Sequence, residues 1–245
     1  MKSLIIIPTY NEIDNIGRIL KEVLELTPPN VEVLVVDDGS PDGTGKRVDE
    51  VAQTQARVHS LHRSGKMGLG TAYVAGFQWG LSNGFDHLIE MDADFSHHPS
   101  YLSAMLAQLH AGFDVVIGSR YVPGGGTRNW GWGRRLLSRG GSLYSRLILG
   151  ARIRDFTGGF NGWHRHVIEA VDIRSLRSDG YSFQIELKYR AFLLGFKITE
   201  FPIIFEDRKV GQSKMNRRIV FEALRRVWGF RLGASAFRRK YLSQV

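Results

Sequence analysis

Residues 91–99 read MDADFSHHP, with Asp92 and Asp94 one residue apart behind the apolar run HLIE. Two carboxylates this close repel unless something positive sits between them. At the end of a strand, positions i and i+2 point the same way, so both side chains could reach one cation. Hard divalent ions such as Mg2+ or Mn2+ take oxygen ligands, and Mg2+ is held by one or two carboxylates with water and substrate phosphate filling its shell. The bland alternative is a cap on the helix that Pro99 introduces. Ser96 could add a hydroxyl ligand, directly or through water, while His97 and His98 read as part of the turn.

The elements that must hold these residues show in the first 120 positions. Apolar runs at 4–8, 31–37, 57–63, 86–92 and 113–120 read as strands. Segments 15–26, 68–81 and 98–112 carry apolar residues at helical spacing, and a further helix should follow the turn VVDDGSPDG. This alternation predicts an α/β fold: a mostly parallel, doubly wound sheet with helices on both faces. Ligands of such sheets bind beyond the carboxyl ends of the strands. Asp37, Asp38, Asp92, Asp94, Ser119 and Arg120 all fall there. After Arg120 the pattern changes. Residues 121–133 read as a Gly-rich loop, 134–149 as a basic helix, 155–165 as a turn and short strand, 181–195 as a helix, 196–205 as a strand and 207–218 as a polar loop. The chain is read as one domain, 1–213, followed by a basic amphipathic extension, 214–245.

Composition narrows the classes. No cysteine occurs among the 245 residues, which excludes disulfides, thiolate nucleophiles and Cys-ligated zinc. The opening MKSLIIIPTYNE lacks a signal-peptide core, and no apolar run approaches the roughly 18 residues of a membrane span. The expected location is therefore cytoplasmic, with contact only at a membrane surface. The net charge of +9 is concentrated: residues 115–154 hold eight Arg and no acid, and 214–245 hold nine Lys/Arg and one acid. Two anion-facing surfaces follow. On a helical wheel, Ile219, Val220, Phe221, Ala223, Leu224, Val227 and Trp228 cover one arc, with Arg218, Arg225 and Arg226 opposite. Such a helix suits an anionic bilayer or packs on the domain with its basic face in water. GKMGLGTA (65–72) is neither G-x-x-x-x-G-K-[ST] nor G-x-G-x-x-G, so a P-loop and a dinucleotide site are rejected; a tight turn or a donor contact remains open.

PTYNE, VVDDGSPDGT, GLGTA, MDADFSH, GSRY, DFTGGF and SFQIEL stand in that order along the chain. Together they resemble the GT-A nucleotide-sugar glycosyltransferases, and within them the dolichol-phosphate (polyprenyl-phosphate) mannosyltransferases. The resemblance runs from about Leu4 to Met215. It implies a nucleotide-sugar pocket built from Pro8, Tyr10, Glu12, Asp37, Asp38, Asp92, Ala93 and Asp94. It implies a metal, Mg2+ or Mn2+, on Asp92, Asp94 and Ser96. Asp94, Arg120 and Arg134 would be catalytic, and Ser119, Arg120 and Arg134 would hold the acceptor phosphate. Arg208 and Lys214 would lie on a loop closing over the donor. GDP-mannose and a polyprenyl or dolichyl phosphate are the implied substrates, transferred with inversion. A membrane-anchored partner subunit or fused membrane domain is implied, and nucleic acid is not.

A phosphate monoester is largely ionised near neutral pH, since its second pKa is about 6, so this acceptor needs no general base. Asp155 is the residue that could contradict this; its other reading is to orient an Arg or cap the DFTGGF turn. Rival readings are a polyprenyl-phosphate glucosyltransferase using a UDP-sugar, a transferase to a sugar hydroxyl, a nucleic-acid-binding protein and a membrane-surface scaffold.

Overall fold

The computed structural model describes residues 1–176, 178, 180–206 and 217–242. Nine strands occur among them: β1 (Ser3–Thr9), β2 (Val31–Asp37), β3 (Val58–His62), β4 (His87–Glu90), β5 (Val115–Ser119), β6 (Gly126–Arg128), β7 (Asn161–His164), β8 (Ile198–Pro202) and β9 (Ile204–Glu206). The α-helices are α1 (Ile13–Leu26), α2 (Thr44–Thr54), α3 (Leu69–Ser82), α4 (Leu102–His110), α5 (Trp132–Leu149), α6 (Arg165–Ala170), α7 (Gly180–Leu193) and α8 (Arg217–Leu242).

Seven strands form one sheet in the order β3-β2-β1-β4-β7-β5-β8. All are parallel except β7, which runs antiparallel to both β4 and β5. The sequence explains the central strands: β1 and β2 are nearly continuous apolar runs, as strands covered on both faces must be. Leu4 and Ile6 join one core cluster with α3, α7 and α8; Ile5 and Ile7 join the other with α1 and α4. The two-residue alternation thus assigns each side chain to a layer. Helix α3 approaches the sheet closely through glycine. A Cβ on Gly76 would stand 2.4 Å from Ile6 Cγ2, and one on Gly80 would stand 2.4 Å from Leu88 Cδ2.

Three expectations change. The strand expected to reach Asp92 ends at Glu90, so Asp92 and Asp94 lie in the following turn, where Phe95 has φ +60. The segment 121–133 is not all loop; it contains β6, which pairs in parallel with β9. The strand expected over 196–205 divides into β8 in the main sheet and β9 in the small one. The short strand expected within 155–165 is β7, which fills the gap between β4 and β5. A polar tie fixes that insertion: buried Glu90 accepts from Asn161 Nδ2 at 2.8 Å, Trp163 Nε1 at 3.0 Å and Gln184 Nε2 at 2.8 Å. Burial raises the Glu90 pKa to about 7, against the lowering effect of those donors and of Lys188.

Candidate active site

The carboxyl ends of the parallel strands line up along one edge of the sheet, and the chemistry-bearing residues follow them. Beyond β4, the chain turns through MDADFS. Asp94 is buried and accepts the Ser96 N–H at 3.0 Å. The Asp92 side chain is 31% exposed and accepts from the Tyr73 hydroxyl at 3.3 Å. Burial, with Asp92 and Glu90 nearby, pushes the Tyr73 pKa well up, so it remains a donor. Beneath them His97 is stacked on Phe160 and edge-on to Phe205. Burial lowers its pKa to about 4, so its 3.6 Å approach to Asp92 is no ion pair at neutral pH. His98 caps the next turn by accepting the Ser100 N–H. Both histidines therefore shape the turn. Ser96 is buried, and its carbonyl fastens the turn to β9 by accepting the Glu206 N–H.

Asp92 and Asp94 offer hard oxygen donors, one at the surface and one below it. Among the described residues no group of three or more His, Asp and Glu side chains is arranged to hold a metal. An ion here would thus complete its shell with water and ligand oxygens, which fits Mg2+ or Mn2+ carrying a diphosphate better than a protein-caged structural ion.

After β1, Tyr10 lies under the Lys66 ammonium at 4.7 Å, and Asn11 takes φ +60 as PTYNE turns. Glu12 accepts from Asn15 Nδ2 at 2.9 Å. At the end of β2, Asp37 is buried and accepts from Thr9 Oγ1 at 2.9 Å and Ser40 Oγ at 2.6 Å. Asp38, also expected in the nucleotide pocket, is paired. Arg63 clamps both its oxygens at 2.6 and 2.8 Å, and both side chains are 8% exposed. A carboxylate paired in this way also positions the GKMGL segment, accepting the Met67 N–H at 3.2 Å.

Two more of the expected residues stand at the end of β5. Arg120, expected to hold phosphate, lines an arginine-rich cavity while its Nε and Nη2 bind Asp155 at 2.8 and 2.7 Å, and Nη2 also reaches Thr157 Oγ1 at 2.8 Å. Burial would raise the Asp155 pKa, but the Arg120 charge and hydrogen bonds, with Lys188, hold it at about 2. Asp155 also accepts the Gly158 N–H, so it orients an arginine and caps the DFTGGF turn. Ser119, expected beside the acceptor phosphate, is fully buried and accepts the Tyr121 N–H at 3.3 Å. Gly125 folds against its carbonyl so tightly that a Cβ would stand 2.5 Å away. Arg134, by contrast, is half-buried, with its guanidinium 4.1 Å from the Trp130 ring. Arg208 and Lys214 lie outside the described residues.

Lys188 was missed by the sequence reading. It is fully buried and donates to the Asp155 and Gly158 carbonyls at 2.9 and 2.7 Å, bracing the turn from below. No signal marked it, since apolar and polar residues alternate through SFQIELK and the lysine falls on a polar position.

Two cavities flank the Arg120–Asp155 pair. One of about 410 Å3 is lined by Arg120, Arg135, Arg139, Arg154 and the glycines 124–126. The other, about 510 Å3, is mainly apolar, with Trp130, Leu136, Tyr144, Ile185, Leu224 and Val227 among its walls, and Thr157 at the Arg120 side. Carboxylates at the sheet edge, an arginine-lined hollow and an apolar hollow are thus neighbours around one ion pair.

This edge-of-sheet arrangement on a GT-A-like sheet is that of a glycosyltransferase. Residues 4–172 match Glycosyl transferase family 2, and the chain belongs to that family. It is 50% identical over 233 residues to the polyprenol monophosphomannose synthase of Mycolicibacterium smegmatis, covering 94% of this chain and 88% of that protein. It is 46% identical to the undecaprenyl-phosphate mannosyltransferase of Micrococcus luteus, covering 94% of each. Among solved structures, glucosyl-3-phosphoglycerate synthase from Mycobacterium tuberculosis, in complex with Mn2+, UDP and glucosyl-3-phosphoglycerate, superposes with a TM-score of 0.67. That likeness covers 95% of this chain and 79% of the other at 19% identity, and it speaks to the fold.

Proposed function

We propose that this glycosyltransferase moves mannose from GDP-mannose to a polyprenyl monophosphate, with inversion, to give a β-linked mannosyl phosphate. The observation that carries the acceptor class is the apolar cavity beside the arginine-lined one: a prenyl chain suits the first and its phosphate the second. The extensive identity to relatives named for polyprenyl-phosphate mannose synthesis supports both the sugar and the acceptor.

Asp92 and Asp94, with Ser96 beside them, would hold a divalent ion whose chemistry, when bound, is to neutralise charge on the departing diphosphate. Tyr10, Glu12 and Asp37 would line the nucleoside end of the pocket. Arg134 would lend positive charge to a phosphate, held in direction by Trp130. Arg120, held in direction by Asp155, lines the arginine-rich cavity and would hold the acceptor phosphate with Arg134. Arg208 and Lys214 stay in this reading as donor-phosphate ligands on the strength of resemblance. The ionised acceptor phosphate attacks the sugar carbon without a general base, which agrees with Asp155 being spent on Arg120. The enzyme would work at the cytoplasmic face of a membrane.

The test is transfer of labelled mannose from GDP-mannose to a polyprenyl phosphate, with and without EDTA, beside UDP-glucose as donor. Metal-dependent product from GDP-mannose alone is expected. No transfer with metal present, or preference for UDP-glucose, would overturn the reading.

A further inference from the structure

Helix α5 carries an apolar line that the folded chain leaves uncovered. Trp132, Leu136, Leu143 and Leu147 are 79, 58, 53 and 71% exposed. With Gly140 in the gap they recur at steps of four, four, three and four residues, which is one face of a helix. A lone exposed leucine is ordinary; a continuous line of them ending in tryptophan is a contact surface. Beside it on the helix stand Arg135, Arg139 and Arg146, all exposed, with buried Ser142 between the last two.

We propose that this face of α5 docks the enzyme onto an anionic bilayer surface, with the apolar line at the acyl boundary and these arginines against lipid phosphates. An interfacial helix has this division of faces. A second copy of the chain fits poorly. A two-fold contact would set α5 against itself, arginine to arginine, and residues 115–154 contain no acid to relieve it. Continuity gives a further argument. Leu136 and Gly140 belong to the exposed line and also line the apolar cavity, so a lipid chain can pass from bilayer to cavity without crossing water. The inference deepens the polyprenyl-phosphate reading, and moves the membrane contact from the C-terminal extension to α5.

The experiment is co-sedimentation of the full chain with vesicles of phosphatidylcholine, with and without phosphatidylglycerol. The variants are Leu143→Asp/Leu147→Asp and, separately, Arg146→Glu; none of the three positions lines either cavity. The unaltered chain should bind the phosphatidylglycerol vesicles and release at high salt. Both variants should bind about tenfold more weakly or worse, with unchanged thermal melting. Transfer to a short, water-dispersed prenyl phosphate should be unaffected in the double variant, and transfer to a long-chain acceptor in vesicles should fall with binding. Vesicle binding that survives both variants overturns the proposal. So does a dimer that the double variant splits while vesicle binding is unchanged. If the unaltered chain transfers to neither acceptor yet shows the expected vesicle behaviour, the substrate reading fails and the α5 surface stands.

Discussion

Asp92 and Asp94 share a turn but stand in different surroundings: one meets solvent and Tyr73, the other is sunk against the Ser96 amide. Replacing either by Asn keeps the volume and the accepting oxygen but removes the charge a cation needs. Asp92→Asn and Asp94→Asn should each lower kcat/KM for transfer by about 10²–10³-fold, the range for losing one transition-state electrostatic contact. Their melting temperatures should stay near that of the unaltered chain; a large fall in melting temperature would instead make the pair structural. Asp155→Asn should behave oppositely. It leaves the buried Arg120 charge uncompensated, which costs about 3–5 kcal/mol of stability. The acid limb of stability follows from the same pair. The Asp155 pKa is depressed from 3.8 to about 2, so its contribution is complete above pH 3.8 and is lost as pH falls toward 2. Chemical denaturation at pH 2.5 and pH 5 should show a drop that Asp155→Asn lacks. These pairings were hidden in the sequence for a physical reason. Asp92 and Asp94 are neighbours, so spacing reveals them, whereas Asp38 meets Arg63 across 25 residues and Arg120 meets Asp155 across 35. Only the fold makes such partners.

Among the elements, those with strong local periods were legible. The apolar runs of β1 and β2 and the i, i+3, i+4, i+7 pattern of Ile16, Ile19, Leu20 and Val23 specify strand and helix without help. Strand β7 is different. It has four residues, begins with a buried Asn, and its place between β4 and β5 depends on Glu90, 71 residues away from Asn161. That carboxyl also sets a pH dependence. Its pKa is raised from 4.5 to about 7, so its contribution is present below pH 4.5 and is lost as pH rises through 7. Unfolding free energy should therefore decline between pH 5 and 7.5, and Glu90→Gln should flatten that slope. Helix α3 offers a test of packing against propensity. Gly→Ala in an exposed helix interior stabilises by about 0.5–1 kcal/mol. At Gly76 the new methyl would sit 2.4 Å from Ile6 Cγ2 in a central strand, and overpacking costs about 1–3 kcal/mol. Packing wins there, so Gly76→Ala should destabilise. Gly229→Ala in α8, with open space around it, should stabilise, as paired urea titrations will show.

For the molecule as a whole, the question is whether residues 214–245 are an appendage or part of the folded unit. Leu224 was expected on the apolar arc of that segment, and its carbonyl accepts from Tyr144 of α5 at 3.3 Å. Val227 and Ala234 are buried in the core cluster that also holds α3 and α7. Trp228, from the same expected arc, is 50% exposed, so the arc divides between packing and solvent. A helix that shares the main core should melt with it. Val227→Ala removes two buried methyl groups, worth about 2 kcal/mol with the cavity left behind. For a chain of this size each kcal/mol moves the midpoint by about 2–4 °C. Calorimetry should thus show one transition, lowered by about 4–8 °C, with the calorimetric and van't Hoff enthalpies still in agreement. An appendage would give a separate early transition and leave the main one in place. Because Val227 also walls the apolar cavity, the same variant should, on the proposed function, weaken use of a long prenyl phosphate while leaving affinity for the nucleotide-sugar donor unchanged. That split ties the last helix to the acceptor side of the site and not to the donor side.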